Sequence, residues 1–395
     1  MRGRLLALGC VVLCIGLCLA CGGTASIAIN PDVISGGASS FKLNAEGNIL
    51  YSWGENGYGS LGLGDIDDRT TPVVLSALSG RSVKFLVAGE DCGFAVLADN
   101  SVYAWGTNAG QLGFGDSTYR NTPERVSSFS DLTLLSLSSG VAHTLALGMD
   151  RHVYTCGQGG VGQLGLGDEV SELLSPQEVP GLPTSVGSVS AGWYDCYAIC
   201  TDGSLWAWGA NGFGELGIGD SAIKYSPVLV PTFAPSGVGV TAVAGGEFFA
   251  VFLCSNGWVY SCGVNGAGAL GLGLTPGNTQ RLTPEHVTGL LSDQFVKAVA
   301  VGEYHTLALT TGGQVYSWGG NFMGQLGLGD TTERNVPVLV EALADKFVLA
   351  IAAGVSHSLA LCSDGSVYAW GGNSSGQLGL GDTEDRDTPQ IVTFP

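Results

Sequence analysis

Two segments spell motifs associated with chemistry. Gly372-Asn373-Ser374-Ser375-Gly376 satisfies G-x-S-x-G, the turn that exposes a nucleophilic serine, and 157–162 (GQGGVG) satisfies G-x-G-x-x-G, a phosphate-cradling loop. Both motifs draw their mechanism from a strand that runs into a helix. Neither string has that context, and both fall within a glycine-rich stretch that recurs along the chain, so both read as by-products of repetition. Asn373-Ser374-Ser375 is also a glycosylation sequon, but an asparagine repeated at that place is expected to be tied into its own loop. His143, His305 and His357 form a third set, since three imidazoles can hold a metal. Each stands thirteen residues before one repeated motif position, where other copies carry Cys92, Asp195 and Phe249 instead. A structural hydrogen-bonding role follows. The glycine-rich stretch ends in Asp65, Asp116, Asp168, Asp220, Asp330 and Asp382, with arginine four residues on at Arg69, Arg120, Arg334 and Arg386. That spacing suits an acid closing its own loop with an ion pair in support, rather than a calcium site. No acid, base and nucleophile converge, so no catalytic residue, cofactor or metal site is expected.

The elements that carry these residues come from a repeat. Its copies begin at Trp53, Trp105, Cys156, Trp208, Cys262, Trp318 and Trp370, at intervals of 52, 51, 52, 54, 56 and 52 residues. The last copy shows the unit: an apolar run from Val348 to Ala352, another from Ser358 to Leu361, a two-residue Asp364-Gly365 turn, an alternating run from Val367 to Trp370, and a closing run from Gln390 to Phe394. Four short strands around a hairpin predict one propeller blade, and seven blades predict a closed ring. The ring is expected to close by pairing the N-terminal segment, around Ile34 to Gly37, with the C-terminal strand, which would hide both sheet edges.

The copy from Ala353 to Asp382 resembles the regulator-of-chromosome-condensation repeat, A-G-x-x-H-x-x-A-L-x-x-D-G-x-V-Y-x-W-G-x-N-x-x-G-Q-L-G-x-G-D, at nearly every position. The resemblance covers about nine tenths of the chain. It implies an all-β, seven-bladed β-propeller of about 52-residue repeats, distinct from the WD-repeat type. Some secreted bacterial members resemble β-lactamase-inhibiting propellers, which bind an enzyme through their loops. The activity for which the family is named, guanine-nucleotide exchange on a small GTPase, is the alternative that the resemblance implies. No blade carries a long insertion that could serve as a wedge into a nucleotide site.

The chain of 395 residues divides into 1–21, a signal peptide with lipoprotein features, 22–33, a short lead-in, and 34–395, the propeller. Arg2 and Arg4 precede an uncharged apolar run from Leu5 to Ala20, and Cys18-Leu19-Ala20-Cys21 resembles a bacterial lipobox with a cysteine at a position that prefers an aliphatic residue. Lipidation at Cys21 is expected, with secretion after cleavage nearby and retention as a signal anchor as the alternatives. Without Arg2 and Arg4 there remain 34 acidic and 13 basic residues, a net charge of −21 that repels phosphate backbones, so no nucleic-acid partner is expected. Cys156 and Cys262 replace the repeat tryptophan and Cys200, Cys254 and Cys362 share one repeat position, so these, with Cys92 and Cys196, read as small core residues rather than a disulfide framework.

Function is expected where the copies differ. In a four-stranded meander the first and third connections emerge on one face, which would collect Glu90, Asp91, Trp193, Tyr194, Asp195, Glu247, Phe248, Phe249, Glu303 and Tyr304 from one set of loops and Tyr58, Phe213, Phe322 and Met323 from the other. Aromatic anchors among acids suit a basic or mixed protein surface. Tyr58, Trp193, Tyr194, Phe213, Glu247, Phe248, Phe249, Glu303, Tyr304, Phe322 and Met323 are therefore the candidate partner-binding residues of an exported, monomeric, non-catalytic binder, the alternatives being that several of these rings pack under neighbouring loops or form a carbohydrate platform. An enzyme using the central channel is a further alternative.

Overall fold

The computed structural model describes residues 33–395 except 169, 234–237 and 278. Residues 1–32, which hold the expected signal and Cys21, lie outside the described residues. The rest forms seven four-stranded antiparallel sheets, each a meander made from one contiguous stretch: 33–74, 83–125, 134–178, 186–229, 240–286, 296–339 and 348–392. These are blades 1 to 7. The first strand of each blade packs against the first strand of the next, right round from blade 7 to blade 1, so the first strands line the axis. Space narrows there, which is why these strands are rich in small residues, as in Val348–Ala353 (VLAIAA) and Leu134–Ser139 (LLSLSS). Second strands such as His357–Cys362 are buried throughout because a neighbouring blade covers each face. Fourth strands such as Arg386–Val392 are largely half-buried at the perimeter.

One set of contacts is repeated at every seam. The Trp105, Trp208, Trp318 and Trp370 indoles donate from Nε1 to the carbonyls of Ser60, Gln163, Ala269 and Gln325 in the preceding blade, at 2.8–3.1 Å. Where cysteine replaces tryptophan the bond survives: the Cys156 and Cys262 thiols donate to the carbonyls of Gln111 and Glu215 at 3.4 and 3.2 Å. Burial pushes the Cys156 pKa up to about 12, which keeps it a thiol able to donate. All seven cysteines in the described residues are free and buried. The recurring glycine before each loop end is explained at the same seam. Gly379, at φ +71°, would place a Cβ 2.8 Å from Trp53 Nε1.

The expected closure by pairing the chain ends is corrected by this arrangement. The segment Val33–Gly36 is the innermost strand of blade 1 and pairs with Ser39–Leu43, whereas the last strand pairs with Val367–Gly371 in blade 7. With four strands already in each blade, neither end needs the other. The seam between blades 7 and 1 closes with side chains instead. Trp53 Nε1 donates to the Gln377 carbonyl at 3.0 Å, and Phe394 packs edge-on against Tyr51 and Trp53, with the Lys42 ammonium 4.1 Å from its ring centre.

The hairpin turn also differs from expectation. The Gly365 amide donates to the Cys362 carbonyl and the Cys362 amide to the Ser366 carbonyl, and Gly365, unlike Asp364, has positive φ. This is a type I turn closed by a left-handed glycine, not a two-residue turn with both residues at positive φ. Asp364 Oδ1 accepts from the Ser366 amide and secures it.

Candidate protein-binding face

The side chains that looked chemical are explained by the frame. His143, His305 and His357 each reach across a seam. Their Nε2 atoms pair with Cys196 Sγ at 3.1 Å, with Ser358 Oγ at 2.9 Å, and with both Ser35 and Ser40 Oγ at 2.8 and 2.9 Å. Burial holds all three neutral, with pKa values pushed down to about 3. The glycine three residues earlier makes room for the ring, since a Cβ on Gly354 would lie 2.2 Å from His357 Cε1. Ser374 is exposed on a loop between two strands, with no helix to supply a nucleophile elbow. Asn373 is buried; its amide donates to the Asp382 carbonyl and carboxylate, and its Oδ1 accepts from the Leu378 amide. Arg386 bonds Asp382 at 2.6 Å, and the same pair recurs as Arg69–Asp65, Arg120–Asp116 and Arg334–Asp330. Among the described residues no group of three His, Cys, Asp or Glu side chains is placed to hold a metal.

The first and third connections of each blade do share a face. The Ala210 amide donates to the Tyr194 carbonyl, Val264 to Phe248 and Gly320 to Tyr304, so each short first loop is pinned beneath the long third one. On this loop face Phe213 and Phe248 meet across blades 4 and 5, with ring centres 4.6 Å apart. The Tyr304 hydroxyl donates to Glu247, and Glu303 lies within hydrogen-bonding reach of both. A Cβ on Gly320 would sit 3.0 Å from Tyr304 Cβ and 3.5 Å from the Phe322 ring, so the aromatic surface continues into blade 6. Tyr58, Phe322 and Met323 are well exposed, Tyr194 and Phe213 just so, and Trp193, Glu247, Phe248, Glu303 and Tyr304 are half-buried. Tyr194 walls an open groove of about 360 Å³ whose sides include Val141, Ala142, Gly160 and Val161.

Phe249 is a correction. It is the first residue of the strand Phe249–Cys254 and only 2% exposed, because it occupies the inward histidine position, with its ring against Gly246. Asp195 holds the same position in blade 4 and is equally buried, accepting from the Tyr197 hydroxyl at 2.5 Å. Burial, reinforced by the Glu215 charge, raises its pKa to about 7.

Glu55, in the x position of W-G-x-N in blade 1, was not among the expected residues. With Glu90 and Asp91 of blade 2 and Glu303 of blade 6 it forms an acidic group that spans the axis. Burial, then the charges of Asp91, Glu303 and Glu55, raise the Glu90 pKa to about 7. Burial followed by the charges of Glu90 and Glu247 raises that of Tyr194. Glu55 and Glu303 lie about 250 residues apart in sequence, so only ring closure brings their fields together.

Seven four-stranded blades define a β-propeller, here with aromatic and acidic side chains on the loops of one face. Family profiles described as RCC1-like domain and as regulator of chromosome condensation (RCC1) repeat match residues 136–341 and residues 48–96, 99–147, 348–377 and 364–395. The chain belongs to this RCC1 repeat family. It is 34% identical over 363 residues to the ultraviolet-B receptor UVR8 of Arabidopsis thaliana, covering 91% of this chain and 81% of that one. It is 33% identical over 357 residues to the human E3 ubiquitin-protein ligase HERC2, covering 89% of this chain but only 7% of that protein. Among solved structures, Prp20p of Saccharomyces cerevisiae matches with a TM-score of 0.78 at 20% identity, covering 89% of this chain and 87% of Prp20p. Human WBSCR16 matches at 0.76 and 23%, covering 88% and 95%. The two structures bear on the fold alone.

Proposed function

We propose that this chain is an exported, non-catalytic propeller that binds another protein through the loop face of blades 4 to 6. The observation that carries the reading is the run of aromatic side chains from Tyr194 through Phe213 and Phe248 to Tyr304 and Phe322, interleaved with Glu247 and Glu303 and held on a frame cross-linked at every seam. Rigid aromatic anchors cost little entropy on binding, and a polar rim completes such a surface. Prp20p, whose fold this chain shares, has been described with binding properties to Gsp1p and histones. Export rests on Arg2, Arg4 and the apolar run that follows, with Cys21 as the acylated residue.

The test replaces Tyr194, Phe213, Phe248 and Phe322 together with serine. Partner capture is expected to fall at least a hundredfold with the melting temperature little changed. Retained binding would move the interface elsewhere. Phe249 stays untouched, since serine there would empty a core site and confuse unfolding with lost contact. The exchange activity for which the repeat family is named remains the second reading. Accelerated release of labelled GDP from a GTPase on adding the propeller would favour it over a purely passive binder.

A further inference from the structure

The loop face is electrically divided. At its perimeter Arg69, Arg120, Lys224, Arg281, Arg334 and Arg386 are each held by a carboxylate four residues away, at 2.6–2.9 Å. At the axis the pattern reverses: Glu55, Glu90, Asp91, Glu247 and Glu303 converge from blades 1, 2, 5 and 6, and none of them makes a salt bridge among the described residues. Half-buried like charges raise one another's energy, and low-dielectric walls concentrate the field at the mouth. A cation entering there would relieve that repulsion. A bare metal ion is a poor fit, since no three ligating side chains are placed together. The carboxylates are spread over several blades, a spacing that suits an extended or delocalised organic cation approached from several sides.

The surroundings specify what should flank that cation. Phe213 and Phe248 offer ring faces beside the mouth, and the groove walled by Tyr194 is apolar on its Val141, Ala142 and Val161 sides. We propose that the axial mouth receives a lysine or arginine side chain from a protein partner, with the apolar neighbours of that residue lying on the Phe213–Phe248 pair and in the groove beside Tyr194. The inference rests on the binding role of the loop face proposed above and assigns the chemistry of its partner. It also gives the contact a pH dependence. Asp91, Glu303, Glu55 and Tyr194 surround Glu90, whose pKa of about 7 leaves it mostly ionised at pH 8 and mostly protonated at pH 6.

The experiment uses displayed random twelve-residue peptides selected on the purified full chain at pH 8. The expected survivors carry a central lysine or arginine flanked by aromatic or aliphatic residues. A synthetic copy should lose at least tenfold in affinity when its arginine becomes citrulline or its lysine norleucine, a change that leaves the propeller untouched. It should lose as much on a Glu90→Gln, Glu247→Gln, Glu303→Gln variant, and weaken between pH 8 and pH 6. Survivors without a basic residue, or indifferent to its neutralisation, overturn the proposal. If those peptides still depend on Phe213 and Phe248, the binding face stands and only the cation is wrong. If they ignore both sets of residues, or if no peptide is recovered, the binding face falls with it.

Discussion

Asp195 shows how much one buried carboxylate changes. It stands where three other blades carry a neutral histidine, fully buried, with the Tyr197 hydroxyl donating to it and Glu215 nearby. Its pKa is raised from 3.8 to about 7 in the folded chain, so the folded state binds the proton more tightly than the unfolded state does. Its contribution to stability is therefore complete below about pH 4 and is lost as pH rises to about 7, by an amount on the order of a few kcal/mol. Glu90 contributes with the same sign over the same interval. The melting temperature is expected to be higher at pH 5.5 than at pH 8, and Asp195→Asn should flatten that slope. Calorimetry across the range checks it; an unchanged slope in the variant would assign the effect to the axial acids alone.

In the third loops of five blades an asparagine and an aspartate do unequal jobs. Asn373 satisfies buried backbone groups at both ends of its loop, whereas the Arg386–Asp382 pair lies at the perimeter with both side chains partly exposed. Asn373→Ala strands those groups and is expected to cost about 2–3 kcal/mol, while Arg386→Ala should cost under about 1 kcal/mol. Denaturant melts of the two variants decide it, and equal costs would mean that the ion pair organises the loop. This loop was largely legible in sequence, because glycine, asparagine and aspartate recur at fixed offsets. The hairpin turn was misjudged because Asp-Gly fits two turn types, and only the bond from Gly365 to Cys362 separates them. Phe249 was placed on the rim by its neighbours, although its register with the histidines marked it as core. The axial acids were only half legible: Glu90 and Asp91 could be assigned to the loop face, but not their approach to Glu55 and Glu303, which depends on the curvature of the ring.

On the scale of the molecule, each blade is a contiguous stretch and the seam between the chain ends repeats the contacts of the other six. The first strand begins at Val33 and reaches the loop face at Gly36, where it turns back into Ser39, so the chain enters from the opposite face beside the axis. If export proceeds as proposed, the intact mass of protein recovered from bacterial membranes should correspond to a chain starting at Cys21 with diacylglycerol and acyl groups attached. A full-length mass in the cytosol would overturn export. With Cys21 acylated, eleven residues would separate the anchor from Val33, a reach of at most about 40 Å. The loop face, on the side of the disc away from that entry, would then stay open to partners outside the cell that never touch the membrane.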